Sequence, residues 1–237
     1  MKVTKQTALA GEQRPARHYI SQSCKIVNSN NEPVLVFLQT LFPPDLVESL
    51  SQDRTNPAFQ KLSKEIKDCR GVHIGISLGE WKERGGTGRY GYTPASKTRA
   101  GRRFVRKHKK LWRIAALVMS FIDGKYARTA RKAHGRNHDF VFDGFFGFGV
   151  LNITSPQELH RDYKDAGWSC LIVLGDYSGG EVYFPYLGAV IAAKQGDALF
   201  MDSYLLWHCV LPYLGDRGSM VLTNHFVALY GHPRHKR

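Results

Sequence analysis

His160, Asp162 and His208 have the residue types and the order of a non-haem iron ligand set. Two imidazoles and one carboxylate hold such a metal on one face and leave the opposite face open for oxygen and a co-substrate. His160 and Asp162 stand one residue apart in Leu159-His160-Arg161-Asp162-Tyr163-Lys164-Asp165, so a single loop can present both, and His208 must come from elsewhere in the fold. Nine positions beyond His208 stands Arg217, with Ser219 two residues further, a spacing that puts both side chains on one side of a strand. A planar guanidinium that takes a carboxylate in two parallel hydrogen bonds is what the distal carboxylate of 2-oxoglutarate requires. The plainer alternatives are a chance His-x-Asp pair and a turn arginine bonded to its neighbour Asp216. The order of the four residues weighs against both.

The elements that must position these residues follow from the hydropathy pattern. Beyond Arg136, the stretches 145–153, 169–177, 181–185, 189–193, 198–201, 205–210 and 220–229 are short, apolar or alternating, and separated by Gly, Asp, Ser or Pro turns. Short strands at close spacing, with no helix between them, predict a sandwich or double-sheet jelly roll. His160 and Asp162 then project from a loop past the Ser155-Pro156-Gln157 turn, and His208 lies near the end of the 205–207 strand. The glycine-turned connections 174–185 and 196–200 shape the barrel.

Earlier in the chain, residues 1–31 are polar and without sustained periodicity, which predicts a mostly irregular arm. Residues 33–39 predict a strand, 42–50 open a helix with Pro44 and Asp45 in its first turn, and Phe59, Leu62 and Ile66 continue a helical spacing toward Cys69. Residues 72–78 alternate as a strand. The glycine-rich stretch 85–94 cannot hold a regular helix, and no Gly-Lys-Ser/Thr follows it as a phosphate-binding loop would need. The expected organisation is an arm, 1–31, and one domain, 32–237, divided into a helical and basic part, 32–140, and a jelly-roll core, 141–237.

Charge is unevenly placed. Between 82 and 136, seventeen Lys and Arg stand against Glu83 and Asp123 alone, so this segment carries +15 of a chain whose net charge is +14, and the rest is close to neutral. From 101 to 121, Phe104, Leu111, Ala115, Val118 and Ile122 share a helical face with His108, while Arg103, Arg106, Lys110 and Arg113, with Arg102 beside them, form a basic stripe. One amphipathic helix is expected, its stripe able to track phosphates with salt-sensitive affinity and no sequence choice. A solvated surface helix is the plainer alternative.

Four scattered cysteines without a Cys-x-x-Cys pair argue against a disulfide framework and a structural zinc module. The N-terminus lacks the apolar run of a signal peptide, and no stretch approaches the roughly 20 apolar residues of a membrane span. A soluble intracellular monomer, without membrane contact, is expected.

Residues 145–226 resemble the iron(II)- and 2-oxoglutarate-dependent dioxygenases, and among them the TET/JBP family of nucleic-acid base oxygenases, in particular its short fungal-type members. The likeness rests on His160-Arg161-Asp162-x-x-Asp165, Gly175-Asp176-x-x-Gly179-Gly180-Glu181-Val182-x-x-Pro185, 196–200, Leu205-Leu206-Trp207-His208 and Arg217-x-Ser219. It implies an α+β double-stranded β-helix with the N-terminal helices and the basic helix and loop packed outside. It further implies iron(II) on His160, Asp162 and His208, 2-oxoglutarate on Arg217 and Ser219, and oxygen as co-substrate. Asp165 is expected to take the exocyclic amine of a flipped base, and His225 the base edge. A carboxylate accepts from the amine of cytosine or adenine but repels the carbonyl of thymine. Where the family places an aromatic that stacks on the base, this sequence has Thr223, and no cysteine-rich zinc region precedes the core.

The activity implied is oxidation of a methylated base in double-stranded DNA, 5-methylcytosine to its hydroxymethyl form and onward to formyl and carboxyl forms, in the nucleus. N6-methyladenine, alone or alongside 5-methylcytosine, is the next alternative, then a protein hydroxylase, which would not need the +15 segment. A DNA-binding module with a vestigial iron site is the rival from another class.

Overall fold

Alternation along one strand explains how the core divides. In Asp165–Leu174 (β9), Trp168, Cys170, Ile172 and Leu174 join one hydrophobic cluster while Leu171 and Val173 join another, because successive side chains of a strand leave on opposite faces. The computed structural model describes residues 2–3, 16–68, 71–82, 90–134, 141–155 and 158–230.

Among these, β9 is central to a ten-stranded sheet. The order is Lys2–Val3 (β1), Cys24–Asn28 (β3), Pro33–Leu38 (β4), Ala198–Asp202 (β13), β9, Gly218–His225 (β16), Phe148–Asn152 (β8), Gly71–Lys82 (β6) and Lys64–Asp68 (β5), with Tyr90–Tyr92 (β7) on β6. A smaller sheet runs Cys209–Val210 (β14), Val182–Phe184 (β11), Ala189–Ile191 (β12) and His18–Ile20 (β2). Tyr177–Gly179 (β10) pairs with Tyr213–Gly215 (β15). Between the two sheets lie Leu35, Phe37, Leu171, Val173, Leu199 and Met201 from the large sheet and Val182, Phe184, Ala189 and Ile191 from the small one. This is the barrel interior of the double-stranded β-helix.

Helices cover the other face of the large sheet. Pro44–Thr55 (α1), Pro57–Gln60 (α2), Pro94–Lys97 (α3), Arg99–Lys107 (α4), Lys109–Ile122 (α5) and Gly124–His134 (α6) precede β8, and Phe226–Tyr230 (α7) follows β16. Val47 and Leu50 of α1, Phe104 and Val105 of α4, Leu111, Trp112 and Met119 of α5 and Tyr126 of α6 share a cluster with Ile172, Met220 and Leu222. Trp112 is fully buried and its Nε1 donates to the Val105 carbonyl at 2.9 Å, so truncating it to alanine would cost about 3–5 kcal/mol. No helix of the described residues is long and apolar enough to cross a membrane.

Several expected elements differ. The arm supplies strands to both sheets: β3 buries Ile26 against β4, and β2 pairs in parallel with β12. Their polar residues face outward, which hides a half-buried strand in a polar composition. The helical spacing through Ile66 ends at α2, and Lys64-Glu65-Ile66-Lys67-Asp68 pairs with β6 as a strand. Charges suit it as a sheet edge, where they discourage pairing with another chain. The single helix expected from 101 to 121 is two, α4 and α5, broken at His108 with φ −96° and ψ 18°. There the His108 Nε2 lies 2.8 Å from Asp53 Oδ2 and Lys107 Nζ lies 2.8 Å from Asp53 Oδ1, so α1 holds the corner. Where one strand was expected from 220 to 229, β16 ends at His225 and α7 begins. His208 lies not at the end of a 205–207 strand but in an isolated bridge just ahead of β14. The glycine-rich segment 83–89 and the Pro156-Gln157 turn lie outside the described residues.

Candidate active site

His160 and His208 pair across the barrel wall. His160 N donates to His208 O at 3.0 Å and His208 N donates to His160 O at 2.8 Å, which sets their rings 4.3 Å apart. Each ring's Nδ1 lies against the carbonyl two residues earlier, Glu158 O at 2.7 Å and Leu206 O at 2.9 Å. A carbonyl only accepts, so Nδ1 carries the proton and Nε2 keeps the lone pair in the neutral ring, the tautomer a metal needs. Asp162 Oδ2 lies 3.9 Å from His208 Nε2. Ligand atoms of His160, Asp162 and His208 all lie within 4.8 Å of one another. The donor set and the fixed tautomers fit an iron(II) ion.

The loop bearing Asp162 is held by Ser203, which sequence reasoning missed. Asp162 N donates to Ser203 O at 2.9 Å, and Ser203 N donates to Gly167 O at 2.9 Å. Ser203 Oγ lies 3.0 Å from Asp165 Oδ2 and 3.2 Å from Gly167 O, fully buried. One serine thus ties the loop of Asp162 to the start of β9. Gly167 turns there with φ +100°, a conformation an L side chain resists.

Arg217 occupies the barrel interior at the start of β16, almost wholly buried. Its Nη1 donates to Ser155 Oγ at 2.6 Å, while its Nε and Nη2 have no hydrogen-bond partner among the described residues. Its guanidinium lies over the Tyr177 ring at 5.1 Å and the Tyr213 ring at 6.0 Å. Burial lowers its pKa, as removing a cation from water must. Asp216, the expected alternative partner, turns to the opposite face and bonds Arg54. A buried guanidinium with two unsatisfied nitrogens is costly unless something fills it, and the carboxylate of 2-oxoglutarate has the charge and the geometry to do so. Ser219 is buried two residues on and accepts from Asn152 Nδ2 at 3.0 Å.

Asp165 and His225 meet at the other end of the same strands. They are register partners of β9 and β16, with His225 Nε2 4.0 Å from Asp165 Oδ1. Phe148 packs on the His225 ring at 4.6 Å. Burial, with Lys164 nearby, pushes the His225 pKa down to about 4, so the ring is neutral at pH 7. Thr223 sits opposite Ser169, both buried on the side of β16 and β9 that Val221 and Leu171 share, and neither hydroxyl has a partner among the described residues. Aromatic rings stand elsewhere near the metal-ligand candidates: the Arg161 guanidinium lies over the rings of Tyr204 at 5.8 Å and Trp207 at 5.9 Å.

The basic stripe is not brought to this site. Arg102, Arg103 and Arg106 belong to α4 and Lys110 and Arg113 to α5, on the helical layer across the large sheet from His160. Arg113 Nε lies 3.6 Å from Asp143, and Arg102 Nη1 donates to the Lys97 carbonyl at 2.7 Å.

No protein-family model matches the chain, and no curated protein matches it significantly. Solved structures do. NgTET1 in complex with 5mC DNA is similar with a TM-score of 0.69 and 15% identity, over 93% of this chain and 82% of that one. An oxidoreductase of the 2OG-Fe(II) oxygenase family from Burkholderia pseudomallei has a TM-score of 0.51 and 14% identity, over 80% of this chain and 84% of that one. At these identities the likeness shows a shared fold.

Proposed function

We propose that the chain is an iron(II)- and 2-oxoglutarate-dependent dioxygenase that oxidises a methylated base in DNA, converting 5-methylcytosine to 5-hydroxymethylcytosine. The observation that carries the oxygenase reading is Arg217: a buried guanidinium with two nitrogens unpartnered among the described residues, in the same barrel as two histidines and a carboxylate. The base reading draws support from Asp165 and His225 side by side, and from the likeness to NgTET1, whose structure holds 5mC DNA.

His160, Asp162 and His208 would hold the iron, and Arg217 and Ser219 the co-substrate. Iron(II) with oxygen and 2-oxoglutarate supplies the oxidant: one oxygen atom enters a methyl C–H bond, the other enters succinate, and carbon dioxide leaves. Asp165 accepts a hydrogen bond from the exocyclic amine of the base. Neutral His225, braced by Phe148, offers the base edge one donor and one acceptor. Arg161, Tyr204 and Trp207 form a cationic and aromatic rim on which bases can stack while the target leaves the helix, an exit that costs a few kcal/mol.

The test is mass spectrometry of methylated duplexes incubated with the protein, iron(II) and 2-oxoglutarate, with His160→Ala as control. Hydroxymethylcytosine from the intact protein alone is expected. Asp165→Ala is expected to lose base oxidation while uncoupled 2-oxoglutarate decay persists. Products from N6-methyladenine alone, or succinate without any base product, would overturn the 5-methylcytosine reading.

A further inference from the structure

The helical face of the large sheet carries a feature that base oxidation leaves unused. Along α4, Arg99, Arg103, Arg106 and Lys107 line an open groove of ≈ 510 Å³. Lys107 is paired with Asp53 at 2.8 Å. Arg99, Arg103 and Arg106 are exposed and have no carboxylate within ion-pair distance among the described residues. Like charges three and four residues apart on a helix destabilise it by a few tenths of a kcal/mol per pair. A polyanion in the groove would turn that repulsion into attraction.

The groove faces away from the barrel. Phe104 and Val105 of α4 pack with Ile172, Met220 and Leu222, on the opposite face of the large sheet from the residues that line the barrel. One helix layer and one sheet spacing separate them, roughly 20 Å. Lys107 also meets Asp53 beside Arg54, which reaches Gly218, the partner of Leu174. That end of β9, Leu174, is nine residues, or roughly 30 Å, from Asp165. DNA is stiff over about 150 base pairs, so a duplex of about 20 base pairs is a rod. A rod that delivers a base to Asp165 cannot also lie in this groove.

We propose that the α4 groove is a second nucleic-acid contact, holding the phosphate backbone of a duplex other than the one whose base enters the barrel. The groove's charge stands on its own; the choice of DNA as the polyanion rests on the proposed function.

The experiment titrates the protein with labelled methylated duplexes of about 20 base pairs and reads the number bound per chain, for the wild type and for Arg99→Gln/Arg103→Gln/Arg106→Gln. Two duplexes per chain, falling to one in the variant, is expected. The slope of log affinity against log salt should flatten by about 2 to 3, near 0.9 for each phosphate no longer neutralised. If the triple variant unfolds, Arg103→Gln alone should flatten the slope by about 0.9. One duplex per chain falling to none would overturn the second contact, and mass spectrometry of the duplex after incubation with the wild type, iron(II) and 2-oxoglutarate separates that failure from a failure of the base-oxidation reading. A number bound that the substitutions leave unchanged would overturn the groove as a DNA contact. So would loss of binding to phosphatidylserine and phosphatidylcholine vesicles with duplex binding intact, which would assign the groove to a membrane surface.

Discussion

Arg54 and Asp216 form an ion pair between α1 and the turn that leads into β16, 162 residues apart in sequence. The same guanidinium donates through Nη1 to the Ile153 carbonyl at 2.9 Å, and its stem fills the space where a Cβ on Gly218 would stand 2.6 Å from Arg54 Cδ. Asp216 is thereby committed to the helical face, and its neighbour Arg217 is directed into the barrel, where it forms no ion pair among the described residues. Arg54→Ala should therefore raise the KM for 2-oxoglutarate on the order of tenfold, the size of effect seen when the support of a liganding residue is removed. Steady-state kinetics checks this: kcat should change less than KM, and a fall in kcat with KM unchanged would contradict a positioning role.

Arg217 itself should be less forgiving. Truncating one partner of a buried charge pair costs about 2–5 kcal/mol, so Arg217→Ala should weaken 2-oxoglutarate binding by roughly a hundredfold or more. Arg217→Lys should recover only part of this, because an ammonium cannot offer the two parallel donors of a guanidinium. Calorimetric titration of the iron-loaded protein with 2-oxoglutarate under anaerobic conditions gives both numbers.

Iron should stabilise the folded chain through His160, Asp162 and His208. Iron(II) at about a hundred times its Kd adds about 2.7 kcal/mol to stability, read as a rise in Tm that a chelator reverses. His208→Ala should lose the rise; a rise that survives the substitution would move the metal elsewhere.

Acid stability should report on His225. Its pKa of about 4 lies below the ordinary value of 6.5, chiefly through burial. As pH falls the unfolded chain takes up this proton first, so the stability is complete above 6.5, is lost between 6.5 and about 4, and changes no further below. The loss is on the order of 3 kcal/mol. Urea unfolding at pH 7 and pH 4.5 should show the wild type losing most of that amount more than His225→Asn, and parallel losses would contradict it.

The candidate metal and co-substrate residues were legible because their signal is local. His160 and Asp162 share one loop, and Arg217 and Ser219 share one strand face, so type and spacing sufficed. The residues that hold them were not. Ser203 bonds Asp165 across 38 positions and Arg54 bonds Asp216 across 162, and no periodicity encodes such a meeting. The break at His108 has the same origin, since its partner Asp53 lies 55 positions away on another helix. The strand at β5 was hidden by charge and that at β3 by its polar face, both consequences of lying toward a sheet edge. The basic stripe was legible as composition, but the side of the sheet it occupies depends on how α4 and α5 pack.

The place of β16 in the large sheet has a consequence for how the protein is made. This strand lies between β9 and β8, which pair with it and not with each other. A nascent chain that ends before Gly218 therefore has two half-sheets with open edges facing each other. β16 is the wedge that joins them, and it arrives carrying Arg217 at one end and His225 at the other. Closing the sheet and burying Arg217 both wait on this one short strand, so a chain still emerging from the ribosome cannot enclose that guanidinium before its sheet has closed.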